Sequence, residues 1–309
     1  MTKKLQDGDS FFKKQIKFFE EVYDLSDEND ERYRTFFAEY LNTGKKEFEH
    51  KVTFLGEETL TKPDILWILY SITYREKIPA SILEFTKSPS QSNFNDVLNS
   101  YYYDSLLQIL AYKESKLVPG ILVKDTALSF IFCSIYFPDD LHLLSKQLIP
   151  QLNDYFDQEK EYPNIRDEDF GRDNTIYLAA HLAAYFELKE ISDMLFDFCK
   201  KDIQTDYFNA IRDFNFLKEN LEAKWIEGMA DFHIKNSKRD LTLPFNHEVW
   251  QYFPIEILAL LVFRQRKGLF NADTEGNEMV KIFVPYIYEK EILLDEETIR
   301  LRNRILNNV

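Results

Sequence analysis

Apolar residues recur every three or four positions along most of the chain, which is the period of an amphipathic helix. Phe12, Ile16, Phe19 and Tyr23 form the first such series. The same spacing predicts further helices at about 93–114, 120–137, 139–158, 173–187, 189–201, 205–219, 220–237, 247–267, 276–289 and 295–307. Because the links between these segments are short, consecutive helices are expected to pack antiparallel.

Sustained alternation of apolar and polar residues, which marks a β-strand, is scarce. Stretches such as Lys51 to Leu55 and Ile282 to Ile287 show it, but each is equally compatible with loop or helix. Thr61 to Asp64 supplies a capping residue, an early proline and a carboxylate, which favour a helix start before Ile65. We therefore expect an all-α fold, an irregular array of antiparallel helical hairpins with room for one very small strand pair.

The most polar and turn-rich link in the chain runs from Gln158 to Asn174. Proline, glycine and clustered charges in such a stretch favour irregular structure over a continued helix. The chain has 309 residues, which exceeds the usual size of one domain. We therefore predict a boundary near residue 165, with one helical domain at 1–165 and a second at 166–309.

The composition agrees with a folded, helical protein. Hydrophobic residues make up 45% of the chain, too much apolar surface for a disordered chain to leave in water. The net charge of −15 disfavours direct binding to nucleic acid or to an anionic membrane, because both depend on cationic patches. The same charge either attracts a basic protein partner or serves only solubility.

The N-terminal segment from Met1 to Asp9 is charged and lacks the apolar core of a secretory signal. The longest apolar runs fall short of the roughly 20 residues that a membrane-spanning helix needs. Cys133 and Cys199 lie in apolar sequence, and two cysteines suggest neither a disulfide framework nor a zinc site. We expect buried free thiols and a cytoplasmic location.

Sequence motifs for catalysis are missing, among them a glycine-rich phosphate loop, a nucleophile elbow and metal-binding His or Cys pairs. We therefore predict that the chain is not an enzyme and has no cofactor or metal site. The carboxylate with the most unusual surroundings is Glu256, which interrupts an apolar run from Trp250 to Leu261. A buried carboxylate must be paired, so Glu256 is expected to contact a tryptophan N–H, a histidine or an arginine. A role as general acid or base is the alternative.

Two acidic clusters are candidates for contacting a basic partner. The first lies between Asp24 and Glu31. The second is preferred, because it flanks the predicted domain junction, where concave surfaces tend to form. This second acidic cluster consists of Glu159, Glu161, Asp167, Glu168 and Asp169.

Two segments, Trp225 to His233 and His247 to Ala259, carry a family resemblance. They resemble the helical PoNi-like immunity proteins of bacteria, in which a helix with a tryptophan, a small-residue step and an Asp/His end precedes a tryptophan-containing helix with an internal glutamate. The matching positions are Trp225, Gly228, Met229, Asp231, His233, Trp250, Glu256 and Ala259. The sequence departs from the family pattern at Pro254, where a small or polar residue is usual, and at Arg264 to Gly268, where an aspartate-rich loop is expected.

The resemblance implies a bacterial cytoplasmic protein that binds and neutralises a DNase-type polymorphic toxin, often one delivered by type VI secretion. Its motif residues are expected to determine packing rather than to form the toxin-binding surface. A nuclease must carry a cationic groove for its substrate, so an acidic inhibitor suits it. A cytoplasmic helical adaptor with no toxin partner is the alternative function that the sequence leaves open, and the oligomeric state is not predicted.

Overall fold

The computed structural model describes residues 8–24, 28–54, 57–118, 121–161, 174–199, 211, 225–240, 243–269, 279–288 and 292–307. Within these ranges helices dominate, and strands occur only in one two-stranded sheet. The predicted all-α fold with one very small strand pair is therefore confirmed.

The described elements are named here in chain order. In chain order they are α1 (Gly8–Asp24), α2 (Glu28–Thr43), β1 (His50–Phe54), β2 (Glu57–Thr61), α3 (Ile65–Ser71), a π-helical segment (Ile72–Lys77), α4 (Ile78–Lys87), α5 (Gln91–Lys113), α6 (Val123–Tyr136), a 3-10 turn (Pro138–Asp140), α7 (Leu141–Glu161), α8 (Asn174–Tyr185), α9 (Lys189–Phe198), α10 (Trp225–Asn236), α11 (Glu248–Tyr252), α12 (Ile255–Arg266) and α13 (Glu296–Leu306). The two strands pair antiparallel, with His50 opposite Thr61.

The chain divides into two compact units. The first unit comprises residues 1–17 and 120–292, and the second comprises residues 18–119 and 293–309. The predicted boundary near residue 165 lies outside the described residues, so the division into domains 1–165 and 166–309 stays a prediction. The compact units have other bounds, because the last helix of the chain packs with α5 and α2 in the second unit.

Helix α6 is the centre of the first unit. Every residue from Val123 to Tyr136 is buried, and the helix contacts α7, α8 and α12. From Ala127 onward the helix is mainly apolar on every side, and such a helix is expected to be enclosed in this way. Its first turn is capped by Asp125, whose carboxylate accepts a hydrogen bond from the Leu122 N–H at 2.9 Å.

Helix α5 has the equivalent place in the second unit. Residues 97–111 are buried, and the helix contacts α3, α4 and α13. The Asn99 side chain within this run donates to the Leu293 carbonyl at 2.9 Å and accepts from the Asp295 N–H at 3.1 Å. The start of α13 is thus held by a buried amide of α5.

Several local predictions are wrong. The described part of the segment predicted as a helix at 276–289, residues 279–288, is a series of turns. Thr61 ends β2, and the residue that caps α3 is Asp64, whose carboxylate accepts from the Trp67 N–H at 3.0 Å. The segment 247–267 is not one helix, because it is interrupted between Tyr252 and Ile255. The helix predicted at 205–219 lies outside the described residues except for residue 211.

Cys133 and Cys199 are buried thiols that form no disulfide, as predicted. No helix among the described residues combines the length and the apolar character needed to cross a membrane.

Candidate functional site

The two segments that carry the family resemblance form α10, α11 and α12, and the break between α11 and α12 falls at Pro254. The Pro254 carbonyl accepts hydrogen bonds from the Ile257 N–H at 3.0 Å and the Leu258 N–H at 3.1 Å, so Pro254 caps α12. A residue at this position needs no N–H of its own, because the first N–H groups of a helix have no intrahelical partner. The departure from the family pattern at Pro254 therefore has a local structural reason.

Glu256 lies in the first turn of α12 and its side chain is fully buried. Its Oε1 atom lies 2.6 Å from Nδ1 of His233 on α10, which is also fully buried. The other ring nitrogen of His233, Nε2, lies 3.0 Å from the Gln251 carbonyl. The expectation that Glu256 is buried and contacts a histidine is confirmed.

The hydrogen-bond partners of His233 and Glu256 determine which of their atoms can carry protons. A backbone carbonyl can only accept, so Nε2 of His233 must carry a proton. One further proton lies between Nδ1 and Glu256 Oε1, whichever atom holds it. In both arrangements the pair is neutral overall, which lowers the cost of burying it.

Gln251 extends the network from the helices to the preceding loop. Its side-chain Nε2 donates to the Phe245 carbonyl at 2.9 Å and to the Asn246 carbonyl at 3.3 Å. Because the Gln251 carbonyl accepts from His233, this one residue joins α10, α11 and the loop before α11. We call the set His233, Gln251 and Glu256 the buried polar cluster.

Aromatic rings enclose the buried polar cluster. The Phe245 ring lies 4.0 Å from the His233 ring, with an angle of 33° between the planes. Phe11 approaches the same imidazole edge-on at 6.3 Å. With both ring nitrogens engaged and its face covered, His233 has no atom left to take a proton from a substrate. The geometry therefore favours the structural interpretation of Glu256 over a general acid or base.

A second group of charges lies beside this cluster, around Lys124 and His247. Lys124 is fully buried and its ammonium group donates to the Leu243 carbonyl at 2.5 Å. Burial lowers the pKa of His247 to about 4. The Lys124 charge adds to this effect, whereas the Glu248 carboxylate opposes it. Glu248 also forms an ion pair with Arg239. His247 is therefore neutral in the folded protein at neutral pH.

Most of the family-motif residues lie in the core. Trp225, Met229, Trp250 and Ala259 are buried, and Asp231 is half-buried. Gly228 is different, because a Cβ built there meets no atom within 4 Å, so close packing does not require a glycine. The motif is thus mainly a set of core residues.

The second acidic cluster is not described by the structure. Asp167, Glu168 and Asp169 lie outside the described residues, and so do the side chains of Glu159 and Glu161, although α7 extends to Glu161. Their role as a binding surface stays a prediction.

Sequence reasoning missed Gln251 and Lys124. Gln251 lies inside the apolar run that begins at Trp250, and Lys124 follows three apolar residues, Ile121, Leu122 and Val123. A polar residue within an apolar run was the signal that identified Glu256, and the same signal applies to both.

Comparisons of the chain with models of protein families, with curated proteins and with solved structures found no match. The family resemblance of the region from Trp225 to Ala259 is therefore supported only by the residues and contacts of this chain.

Proposed function

We propose that this chain is an immunity protein that binds and neutralises a cognate antibacterial nuclease toxin by direct protein–protein contact. One observation carries the proposal: the two resembling segments, separated along the sequence, meet in one hydrogen-bonded core through His233 and Glu256 at 2.6 Å. A chance likeness of two short segments would not require their matching residues to touch. The contact supports a common fold for the region from Trp225 to Ala259.

The chemistry of the buried polar cluster favours binding over catalysis. His233 uses both ring nitrogens in contacts within the protein, and neither His233 nor Glu256 is exposed. The net charge of −15 suits a partner with a cationic groove, because opposite charges accelerate encounter and help to exclude the nucleic acid. The basic nuclease is therefore the partner class that we propose.

The second acidic cluster is the proposed contact surface for the toxin. The test is co-expression of the chain with the nuclease encoded beside it, measuring survival of the host cells. Reversal of all five carboxylates to lysine should reduce protection and slow association, and the parent protein's association should slow as salt is added.

A matched control reverses five exposed carboxylates elsewhere in the chain, so that the change in net charge is the same. Suitable positions are Glu20, Glu49, Glu58, Asp193 and Asp197. Equal protection by both variants would exclude the second acidic cluster as the interface. Failure of the parent to protect against any neighbouring nuclease would favour the adaptor function instead.

A further inference from the structure

A cavity of about 290 Å³ lies in the second unit, where α2, α5 and α13 end. Its lining includes Tyr40, Lys46, Lys113, Glu114 and Arg304. Three of these side chains are cations and one is a carboxylate. The local excess of positive charge contrasts with the net charge of −15 for the whole chain.

Two of the cations are held in place by helix ends. The Lys113 ammonium group donates to the Ile305 carbonyl at 2.6 Å and to the Leu306 carbonyl at 3.2 Å, at the end of α13. Arg304 donates through Nη2 to the Leu41 carbonyl at 2.8 Å and to the Asn42 carbonyl at 3.0 Å, at the end of α2. Cations are stabilised at helix C-termini by the unpaired carbonyls and the helix dipole. Both groups are therefore fixed before any ligand arrives.

These contacts leave donors unused. Arg304 bonds through Nε and Nη2, so its Nη1 amino group has no hydrogen-bond partner among the described residues. Lys113 uses two of its three N–H groups on carbonyls. Lys46 makes one ion pair, with Glu114 at 2.6 Å, and has two further N–H groups. The cavity is thus bordered by several positively charged donors.

Tyr40 also lines this cavity. Its side chain is fully buried, and its hydroxyl has no hydrogen-bond partner among the described residues. Burial and the Glu114 carboxylate raise the pKa of Tyr40 to about 12, against the opposing effect of Arg304, so the hydroxyl keeps its proton at neutral pH. A buried hydroxyl without a partner is unfavourable unless a ligand or water accepts from it.

A second cavity of about 380 Å³ shares Lys46 and Glu114 with the first. It adds Lys45 and Lys116 to its lining, and Lys116 pairs with Asp64 at 3.1 Å. The Lys46 and Glu114 side chains therefore stand at the junction of two cavities.

We infer that the cavity bordered by Tyr40, Lys46, Lys113 and Arg304 binds a small oxyanion, the phosphate or carboxylate group of a metabolite. The charged N–H donors of Lys46, Lys113 and Arg304 around one space match the acceptor oxygens of such a group. The Arg304 guanidinium is planar and prepositioned, which suits it to phosphate and carboxylate. This site is independent of the proposed immunity function.

The test measures binding of inorganic phosphate and of citrate to the full chain, by calorimetry and by thermal unfolding. Sodium chloride at equal ionic strength is the reference. Phosphate and citrate stabilise most proteins by exclusion from their surface, so we expect saturable calorimetric binding of one or both anions and a larger rise in melting temperature for the parent than for the lining variants. A response to phosphate alone identifies a phosphate ligand, and a response to citrate alone identifies a carboxylate ligand.

Lys46→Gln and Lys113→Gln each remove one charge from the lining, and each should weaken binding about tenfold. Lys51→Gln, an exposed cation on β1 away from the lining residues, is the matched control and should bind as the parent does. Circular dichroism checks that all three variants fold. The absence of saturable calorimetric binding of either anion, or equal weakening in Lys51→Gln and Lys46→Gln, would overturn the inference.

Discussion

The buried polar cluster of the first unit and the cavity of the second unit both contain ionisable side chains, but they differ in how many hydrogen-bond donors are left unused. Each brings ionisable side chains from different segments together, and each contains a buried oxygen without a hydrogen-bond partner among the described residues, Glu256 Oε2 and Tyr40 Oη. In the first, His233 packs against the Phe245 ring and bonds through both ring nitrogens, to Glu256 and to the Gln251 carbonyl. In the second, Lys46 and Arg304 border the cavity and have donors to spare. Closure indicates a structural role, whereas unused donors beside a cavity indicate binding.

The largest effect is expected from Glu256→Ala. This change removes the partner of His233 at a fully buried site, so the free energy of unfolding should fall by about 3–5 kcal/mol. Urea unfolding monitored by circular dichroism measures it. Glu256→Gln is the matched control, since its amide N–H can donate to Nδ1 of the neutral imidazole, and it should lose less. An unchanged unfolding midpoint for Glu256→Ala would mean that the buried polar cluster does not stabilise the fold, and it would contradict the structural role that separates this cluster from the cavity.

A smaller effect is expected from protonation of His247. Its pKa is about 6.5 in the unfolded chain and about 4 in the folded protein, where burial and Lys124 disfavour the charged form and Glu248, itself paired with Arg239, favours it. The unfolded chain therefore binds more protons between these values. This contribution to stability is fully present above pH about 6.5 and is lost as the pH falls towards 4, by about 2–3 kcal/mol.

The measurement compares urea unfolding of the parent and of His247→Gln at pH 7.5 and pH 4.5. Other groups titrate in both proteins, so the difference between the two losses isolates His247. The parent should lose more stability on acidification. Parallel losses in both proteins would mean that His247 is not held neutral by its surroundings.

The smallest effect on stability is expected from Tyr40→Phe. The hydroxyl that it removes has no partner among the described residues, so the free energy of unfolding should change by less than about 1 kcal/mol and can rise. Tyr103→Phe in the same unit is the matched control, because the buried Tyr103 hydroxyl donates to Glu297 at 2.7 Å. That variant should lose about 1–2 kcal/mol. A larger loss for Tyr40→Phe than for Tyr103→Phe would show that the Tyr40 hydroxyl already has an acceptor.

Part of the buried polar cluster could be predicted from sequence. The apolar neighbours of Glu256 predict its burial, and a buried carboxylate requires a partner, so both statements follow from local pattern and elementary energetics. The sequence did not show that the partner of Glu256 would be His233 rather than an arginine or a tryptophan. His233 is 23 residues away, and the path between them depends on where α10 ends and how the loop before α11 turns.

The helices were predictable for a related reason. A period of three to four apolar residues is a local property, so α5, α6 and α13 were found at nearly their observed positions. The break in the segment 247–267 was missed although Pro254 stands there, because a proline at the first turn and a proline at an interruption look alike in an apolar run.

The sequence by itself determined that the chain is helical, that α6 is enclosed and that Glu256 is buried. These features depend on the spacing of apolar residues and on the polarity of near neighbours, which are local properties of the chain. Tertiary structure alone decided what surrounds the second-unit cavity. Lys113 meets the carbonyl of Ile305 across 192 residues, and Arg304 meets that of Leu41 across 263. In sequence each is an ordinary charge near a helix end. Their convergence on one cavity depends on how α2, α5 and α13 pack, and long-range packing leaves no periodic signal in the chain.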